Sequence, residues 1–138
     1  MGNDSSTVKW DDGFLLGDEQ VDYQHRKLFD LVNSLLSSCD AETDMKKLQD
    51  TLDFLVGYAV QHFDDEEALQ IRCNFPEYER HKQLHDDFKV TVLELVQRFK
   101  ETNSPSQLSY DIKKVLIKWL FKHILEEDKK IGKYLQTK

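Results

Sequence analysis

Histidines and large apolar residues recur together, at intervals of three and four residues, along four stretches of this chain. This spacing places side chains on one face of an α-helix, which completes a turn every ~3.6 residues. All five histidines of the sequence stand on these faces, where a buried Leu or Val would be expected: His25, His62, His81, His85 and His123. No stretch keeps the period of two typical of a strand for long. The pattern therefore predicts an all-α protein.

Short breaks between the four stretches predict how the helices are arranged. A polar segment at 40–44, the residues 73–76 and the sequence Asn103-Ser104-Pro105 separate them. Candidate caps for the first helix are Asp18 and Asp22, and Pro76 suits the first turn of the third. Helices of this length joined by short connections are typical of an antiparallel up-down-up-down four-helix bundle.

The two ends of the chain are expected to differ from the bundle. We expect residues 1–17 to form an irregular N-terminal arm that packs on the bundle through its apolar residues, which are Trp10, Phe14, Leu15 and Leu16. Residues 18–138 would form the bundle itself. The segment 129–135 is expected to be a short, separate C-terminal helix.

Composition excludes several classes of function. The formal net charge of −7 argues against a nucleic-acid surface, which needs a basic face. No apolar run approaches the roughly 20 residues that cross a bilayer, so no membrane association is expected. No signal-peptide pattern is evident, which predicts a cytoplasmic protein. Cys39 and Cys73 are isolated in the sequence and are expected to be free thiols in a reducing compartment.

The positions of the histidines along their helices predict that they meet. His25 lies near the start of the first helix, and His81 and His85 lie near the start of the third. His62 and His123 lie near the ends of the second and fourth. In an antiparallel bundle these starts and ends share one end of the molecule. All five rings should therefore converge in the interior at that end.

Carboxylates accompany the histidines at helical spacing. Glu66 follows His62 by four residues, which stacks the two side chains on one helix face. After His123, a second carboxylate could come from Glu127 at the usual spacing of four, or from Asp128 at five if the helix bends there. Spacing alone favours Glu127.

Metal binding explains this set of residues better than a histidine-rich core does. A single buried histidine is usually a hydrogen-bonded core residue, but five at one level of an apolar interior need a shared partner that compensates for their burial. Imidazole suits zinc, copper, iron and nickel. Five imidazoles exceed the share of one ion, so two ions bridged by carboxylates are expected, as in the di-iron sites of other helix bundles.

The motifs that carry the histidines resemble those of the hemerythrins, specifically the bacterial kind. They comprise Trp10, the segment from Gly17 to Asp22-Tyr-Gln-His25, His62-Phe63-x-x-Glu66-Glu67, His81-x-x-x-His85 and Trp119-Leu-x-x-His123-Ile-x-x-x-Asp128. The resemblance covers nearly the whole chain, from about residue 8 to residue 135. Gln70 departs from the family pattern, which has Met at this place.

The resemblance implies a ligand set of seven residues. One iron would be held by His81, His85 and His123 and the other by His25 and His62, with Glu66, Asp128 and an oxo or hydroxo group as bridges. The family pattern thus selects Asp128 rather than Glu127. Apolar residues that neighbour the ligands in the family would line the pocket for a small molecule: Leu28, Phe63, Trp119, Leu120 and Ile124.

The resemblance also implies reversible O2 binding at a non-heme di-iron centre, for storage, delivery or sensing. NO and other small anions are further candidate ligands, and we expect a monomer without enzymatic activity. The excess of imidazoles over carboxylates favours binding of O2 over its cleavage. Two alternatives stay open: a di-iron oxidase, peroxidase or nitric-oxide-handling enzyme, and the sensory module of a larger receptor.

Overall fold

The computed structural model describes residues 10–41 and 45–137, and all regular structure within these ranges is helical. A short 3-10 helix (Asp12–Phe14) precedes three long α-helices: α1 (Glu19–Ala41), α2 (Met45–Arg72) and α3 (Tyr78–Thr102). This confirms the predicted all-α class. Residues 1–9 of the predicted arm, and residues 42–44 of the polar segment between the first two helices, lie outside the described residues.

The fourth helix runs over residues 105–136 without a break, and two wider turns interrupt its α-helical pattern. Its parts are α4 (Pro105–Asp111), the π-helical turn π1 (Ile112–Ile117), α5 (Lys118–Lys122), the π-helical turn π2 (His123–Glu127) and α6 (Asp128–Gln136). The prediction of a separate C-terminal helix is therefore wrong, because α6 continues directly from π2. A π-turn shifts the apolar spacing by one residue, and in the sequence this shift resembles the end of a helix.

Side-chain caps define where the helices begin. The Asp18 carboxylate accepts a hydrogen bond from the Val21 N–H at 3.0 Å, so Asp18 caps α1. Asp22, the other candidate, accepts from the N–H groups of Leu16 and Gly17 and thus fixes the arm instead. Ser104 caps the fourth helix by accepting from the Gln107 N–H. Pro76 precedes α3 in a turn and is not in its first turn, contrary to the prediction.

Two apolar clusters lie on either side of the histidines along the helices. The main core cluster fills most of the bundle and includes Leu28, Phe63 and Ile124. A smaller end cluster consists of buried Leu16, Val21, Leu69, Phe75 and Ile131, with three partly buried residues packed against it. Val21 and Leu28 flank His25, and Ile124 and Ile131 flank Asp128, so the histidine layer lies between the two clusters.

The described part of the arm, residues 10–17, contacts the bundle through aromatic and apolar side chains. Trp10 meets Phe29 edge to face, with ring centroids 5.3 Å apart, and Phe14 also contacts Phe29. Leu16 is buried in the end cluster, but Leu15 is 46% exposed, so its predicted packing is wrong. The division of the chain at residue 17 stays a prediction.

Two further observations bear on the expected environment of the protein. Among the described residues, we find no helix whose length and apolar character would let it cross a bilayer. Neither cysteine is in a disulfide in the part of the chain that the structure describes: Cys39 is buried within the main core cluster and Cys73 lies against the end cluster.

Candidate metal centre

The structure brings the seven predicted ligand residues together in one buried group. Each is at most 3% exposed: His25, His62, Glu66, His81, His85, His123 and Asp128. They come from α1, α2, α3 and the fourth helix, at the level between the two apolar clusters. The predicted convergence of all five rings is therefore confirmed.

Three of the histidines form one cluster around a shared pair of carboxylate oxygens. The Nε2 atoms of His81 and His85 lie 3.0 and 3.1 Å from Glu66 Oε1. The Nε2 atoms of His81 and His123 lie 2.9 and 3.1 Å from Asp128 Oδ1. These five residues offer ligand atoms close enough together to hold one ion. We call this group the three-histidine cluster.

The other two histidines form a second cluster around the remaining carboxylate oxygens. His25 Nε2 lies 2.9 Å from Asp128 Oδ2 and 3.3 Å from Glu66 Oε2. His62 Nε2 lies 3.4 Å from the same Glu66 oxygen. The four residues His25, His62, Glu66 and Asp128 can hold an ion in the same way. We call this group the two-histidine cluster.

Glu66 and Asp128 connect the two clusters because each carboxylate divides its oxygens between them. Oε1 of Glu66 and Oδ1 of Asp128 face the three-histidine cluster, while Oε2 and Oδ2 face the two-histidine cluster. A carboxylate placed in this way can bridge two cations. Asp128 belongs to the site and Glu127 does not, which corrects the preference derived from spacing alone.

The geometry of π2 explains why the carboxylate lies five residues after His123. The Asp128 N–H donates to the His123 carbonyl, which is the wider hydrogen bond of a π-turn. A turn of about 4.4 residues brings residue 128 back to the face of residue 123, where an ordinary α-turn would bring residue 127. Glu127 instead points outward, where Arg80 donates to both of its carboxylate oxygens at 2.7 and 3.1 Å.

The residues of the three-histidine cluster fit a metal ion, because lone pairs of nitrogen and oxygen atoms point toward one another there with no hydrogen-bond donor between them. The His85 Nδ1–H donates to Glu67 Oε2 at 2.7 Å, so a neutral His85 ring presents a lone pair at Nε2. That lone pair faces Glu66 Oε1 and the Nε2 atom of His123, both 3.1 Å away. A cation between such atoms removes their mutual repulsion.

The residues of the two-histidine cluster fit a metal ion for the same reason. The His62 Nδ1–H donates to Gln24 Oε1 at 2.8 Å, which leaves a lone pair at Nε2. Four buried ligand atoms that face this cluster make no hydrogen bond with good geometry: His25 Nε2, His62 Nε2, Glu66 Oε2 and Asp128 Oδ2. Buried polar atoms without partners are costly, and a metal ion would satisfy all of them.

Outer partners that the sequence did not reveal fix two of the rings. Gln24 accepts from His62 and donates its Nε2–H to Asp65 at 2.7 Å, while Glu67 accepts from His85. Such partners set the tautomer and the orientation of a ligand histidine. Asp65 and Glu67 stand next to Glu66 in the sequence, and this acidic run is the only local signal that could have suggested them.

Charges within the site move the pKa values of its histidines in opposite directions. Burial alone would lower the pKa of His25 and His81, but the close carboxylates of Asp128 and Glu66 stabilise the protonated rings, outweigh burial and raise these pKa values to about 9 and about 10. Burial lowers the pKa of His62. The surrounding histidines, against the effect of burial, hold the pKa values of Glu66 and Asp128 well below the usual range.

Two of the five apolar residues predicted to line the pocket stack on ligand histidines, and their role as a pocket lining stays a prediction. Phe63 stacks on His85 with ring centroids 4.0 Å apart, and Trp119 stacks on His123 at 4.9 Å. Leu28, Leu120 and Ile124 are buried in the main core cluster, while Trp119 is partly exposed. Gln70 is fully buried one turn beyond Glu66, and its side-chain amide has no hydrogen-bond partner among the described residues.

Comparison with known proteins gives the same family over nearly the full length. The model of the hemerythrin HHE cation-binding domain matches residues 16–135. A bacteriohemerythrin from Stenotrophomonas maltophilia is 31% identical over 121 residues, which are 86% of this chain and 75% of that protein. A hemerythrin-like protein from Naegleria gruberi is 30% identical over 91% of both chains. A bacteriohemerythrin from Clostridium acetobutylicum is 29% identical over 87% of this chain and 95% of that protein.

The family match spans the whole histidine layer, from the residues before His25 to the residues after Asp128. The local motifs, the fold and the geometry of the site therefore agree. This chain belongs to the hemerythrin family.

Proposed function

We propose that the seven residues of the site hold two iron ions and that the protein binds O2 reversibly. The observation that carries this proposal is the division of each carboxylate between two histidine clusters, one oxygen of Glu66 and of Asp128 on each side. Two clusters that share two bridging carboxylates suit two ions better than one. The match to a cation-binding domain supports a metal site, and the resemblance of the motifs to those of the hemerythrins implies iron as the metal and O2 as the ligand.

The two clusters differ in how many donors they offer. The three-histidine cluster has five donor residues and the two-histidine cluster has four, with Glu66 and Asp128 common to both. An ion in the two-histidine cluster therefore has one protein ligand fewer. We expect a small ligand such as O2, NO or another small anion to bind on this side, near His25 and His62.

The residues around the site would keep it rigid and dry. When bound, two iron ions would supply the two electrons that reversible O2 uptake requires. The bonds from His62 to Gln24 and from His85 to Glu67 hold these rings in place. Buried Leu28, Phe63 and Ile124 would exclude water, and a dry site would limit the irreversible oxidation of a reduced metal by O2, which water and protons promote.

A binding role is favoured over an enzymatic one by the chemistry of the donors. Five neutral imidazoles and two carboxylates supply little negative charge, whereas high oxidation states and O2 cleavage need carboxylate-rich sites. We therefore propose a protein for O2 storage, delivery or sensing rather than an oxidase.

The proposal also covers the directions of the helices, the oligomeric state and the cellular location of the protein. We infer that the four helices alternate in direction, since Ser109 near the start of the fourth helix contacts the Cys39 carbonyl near the end of α1.

We also propose that the protein is a cytoplasmic monomer. Within the described residues its cysteines are not in a disulfide, which is consistent with a reducing compartment. Sedimentation analysis would test the oligomeric state.

The test combines metal analysis with visible spectra. Protein produced with ample iron should contain two iron ions per chain, one for each cluster. After anaerobic reduction, O2 should produce a visible absorption band that vacuum removes and fresh O2 restores. The variant His25→Ala should lose the reversible band because it removes a donor from the two-histidine cluster.

The outcomes separate the alternatives. Protein that stays colourless and iron-free would refute the metal site. A band that forms once and does not reverse, together with continuous consumption of a reductant, would favour an enzyme over a carrier. A reversible band whose appearance changes the proteolysis of the N-terminal arm would support a sensory role.

A further inference from the structure

We propose that the ion pair between Arg80 and Glu127 is a clasp that closes the three-histidine cluster and slows the loss of its metal ion. The proposal rests on the proposed metal site and assigns a role to two residues that do not contact the metal themselves. We call this ion pair the clasp.

Each partner of the clasp is the immediate neighbour of a ligand residue. Arg80 precedes His81 in α3, and Glu127 precedes Asp128 in the fourth helix. His81 Nε2 and Asp128 Oδ1 are themselves only 2.9 Å apart. The clasp therefore joins, from the outside, the two backbone segments that carry these ligands on the inside.

The geometry of the clasp is better than that of an ordinary surface ion pair. Arg80 donates through both terminal nitrogens to both oxygens of Glu127, at 2.7 and 3.1 Å. A two-fold contact between guanidinium and carboxylate fixes orientation as well as distance. The Glu127 side chain is only 15% exposed and is also 3.3 Å from the Lys130 amine. Partial burial weakens the screening of such a pair by salt.

A surface cleft shows what the clasp covers. The cleft has a volume of about 240 Å³ and is lined by Arg80, Leu84, Trp119, Lys122, His123 and Glu127. His123 thus contributes to a cleft wall as well as to the metal site. Among the seven ligand residues, His81 and His123 are the ones whose side chains keep a measurable exposure, 2% each. The site comes closest to solvent at this point.

The clasp and the Trp119 ring close the cleft from two sides. Trp119 stacks on His123 with an interplanar angle of 11° and so covers one face of the ligand ring. Arg80 and Glu127 connect the start of α3 to π2, the turn that directs Asp128 inward. If the pair is broken, α3 and π2 can separate at the cleft, and water can reach His123.

The experiment measures how fast iron leaves the protein. Iron-loaded protein is reduced without air and mixed with a ferrous chelator whose complex is coloured. We compare wild type, Arg80→Ala, Glu127→Gln and the double variant, with Lys46→Ala as the control. Lys46 forms an exposed ion pair with Asp50 at 2.9 Å near the start of α2, in a different part of the fold.

We expect both single variants to bind as much iron as wild type and to release it about 10-fold faster, the lower end of the effect of outer partners at metal sites. The double variant should release iron no faster than either single variant, because both break the same pair. Lys46→Ala should release iron at the wild-type rate.

The results distinguish failure of the clasp from failure of the proposed function. Wild type that binds no iron refutes the metal site itself. Wild type that binds iron, with variants that release it at the same rate, refutes the clasp alone. A purely structural role would lower the stability of the metal-free variants and leave their release rates unchanged, so urea unfolding of the metal-free proteins completes the test.

Discussion

Two kinds of outer partner hold the ligand histidines of this protein. The carboxylate of Glu67 accepts from His85, whereas the neutral amide of Gln24 accepts from His62. A carboxylate partner makes an imidazole a stronger electron donor than an amide does. His85 in the three-histidine cluster should therefore be a stronger donor than His62 in the two-histidine cluster, where we expect O2.

At the scale of single residues, proton binding makes a prediction for the metal-free protein. The pKa values of His25 and His81 in the folded protein, about 9 and about 10, exceed the value of about 6.5 in the unfolded chain. Their contribution to stability is complete below pH ~6.5 and is lost as the pH rises through the folded values. We expect the free energy of unfolding to fall between pH 6.5 and pH 9, measured by urea titration of the metal-free protein.

The variant His25→Gln is the control for this pH dependence, because it should reduce the fall. Metal affinity should change in the opposite direction and increase with pH, since the ligand nitrogens must lose their protons before they bind. A metal-free protein whose stability rises from pH 6.5 to pH 9 would contradict the origin that we give for these pKa shifts.

At the scale of elements, the turn π2 decides which acidic residue enters the site. Helical spacing presents Glu127 on the face of His123, but the wider turn presents Asp128 there. π-turns inside α-helices are rare and are frequently found at functional sites. In this helix the turn π2 directs the Asp128 carboxylate inward and the adjacent Glu127 carboxylate outward to Arg80.

This role of π2 predicts a difference between two neighbouring conservative substitutions. Asp128→Asn removes a charge that both clusters share and should lower the iron content below that of wild type, with metal affinity reduced by at least ~10-fold. Glu127→Gln should leave the iron content unchanged. Metal analysis of the two variants after identical loading is the measurement, and equal iron loss in both would mean that the turn does not select between the two carboxylates.

At the scale of the whole molecule, the N-terminal arm closes the end of the bundle nearest the site. Leu16 is 4% exposed in the end cluster, and its N–H donates to Asp22 at 2.6 Å. The arm passes so close to α6 that a Cβ atom at Gly132 would lie 3.2 Å from Leu16 Cα. A side chain at this position would require Leu16 to move by a few tenths of an ångström.

Substitution of Ala for each of two helical glycines should therefore have opposite effects on the stability of the protein. Gly132→Ala should displace Leu16 at a cost of roughly 1–3 kcal/mol, more than the ~1 kcal/mol that Ala gains over Gly in a helix. Gly57→Ala in α2, where nothing lies within 4 Å of the new Cβ, should stabilise by about 0.5–1 kcal/mol. Urea unfolding of both variants measures the difference, and equal stabilisation would show that the arm is not held against α6.

Much of the site could be predicted from the sequence because the information is local. Histidines at intervals of three and four on four amphipathic stretches already require helices with buried rings, and their distance from the helix ends requires that the rings meet. The motifs around His62, His81 and His123 also consist of residues close in the sequence, and they indicate the family. Hydrophobic burial and helical periodicity depend on residues close in sequence, so these properties need no knowledge of the tertiary contacts.

Only the tertiary structure decided how the site is assembled. The outer bonds of His62 to Gln24 and of Arg80 to Glu127 join residues 38 and 47 positions apart. The family resemblance already implied Asp128 rather than Glu127, but the physical cause of this choice, and of the continuity of α6 with the fourth helix, is one wider turn whose position no spacing rule gives. These features arise when helices pack and their side chains compete for partners, and such competition joins residues that are distant in the sequence.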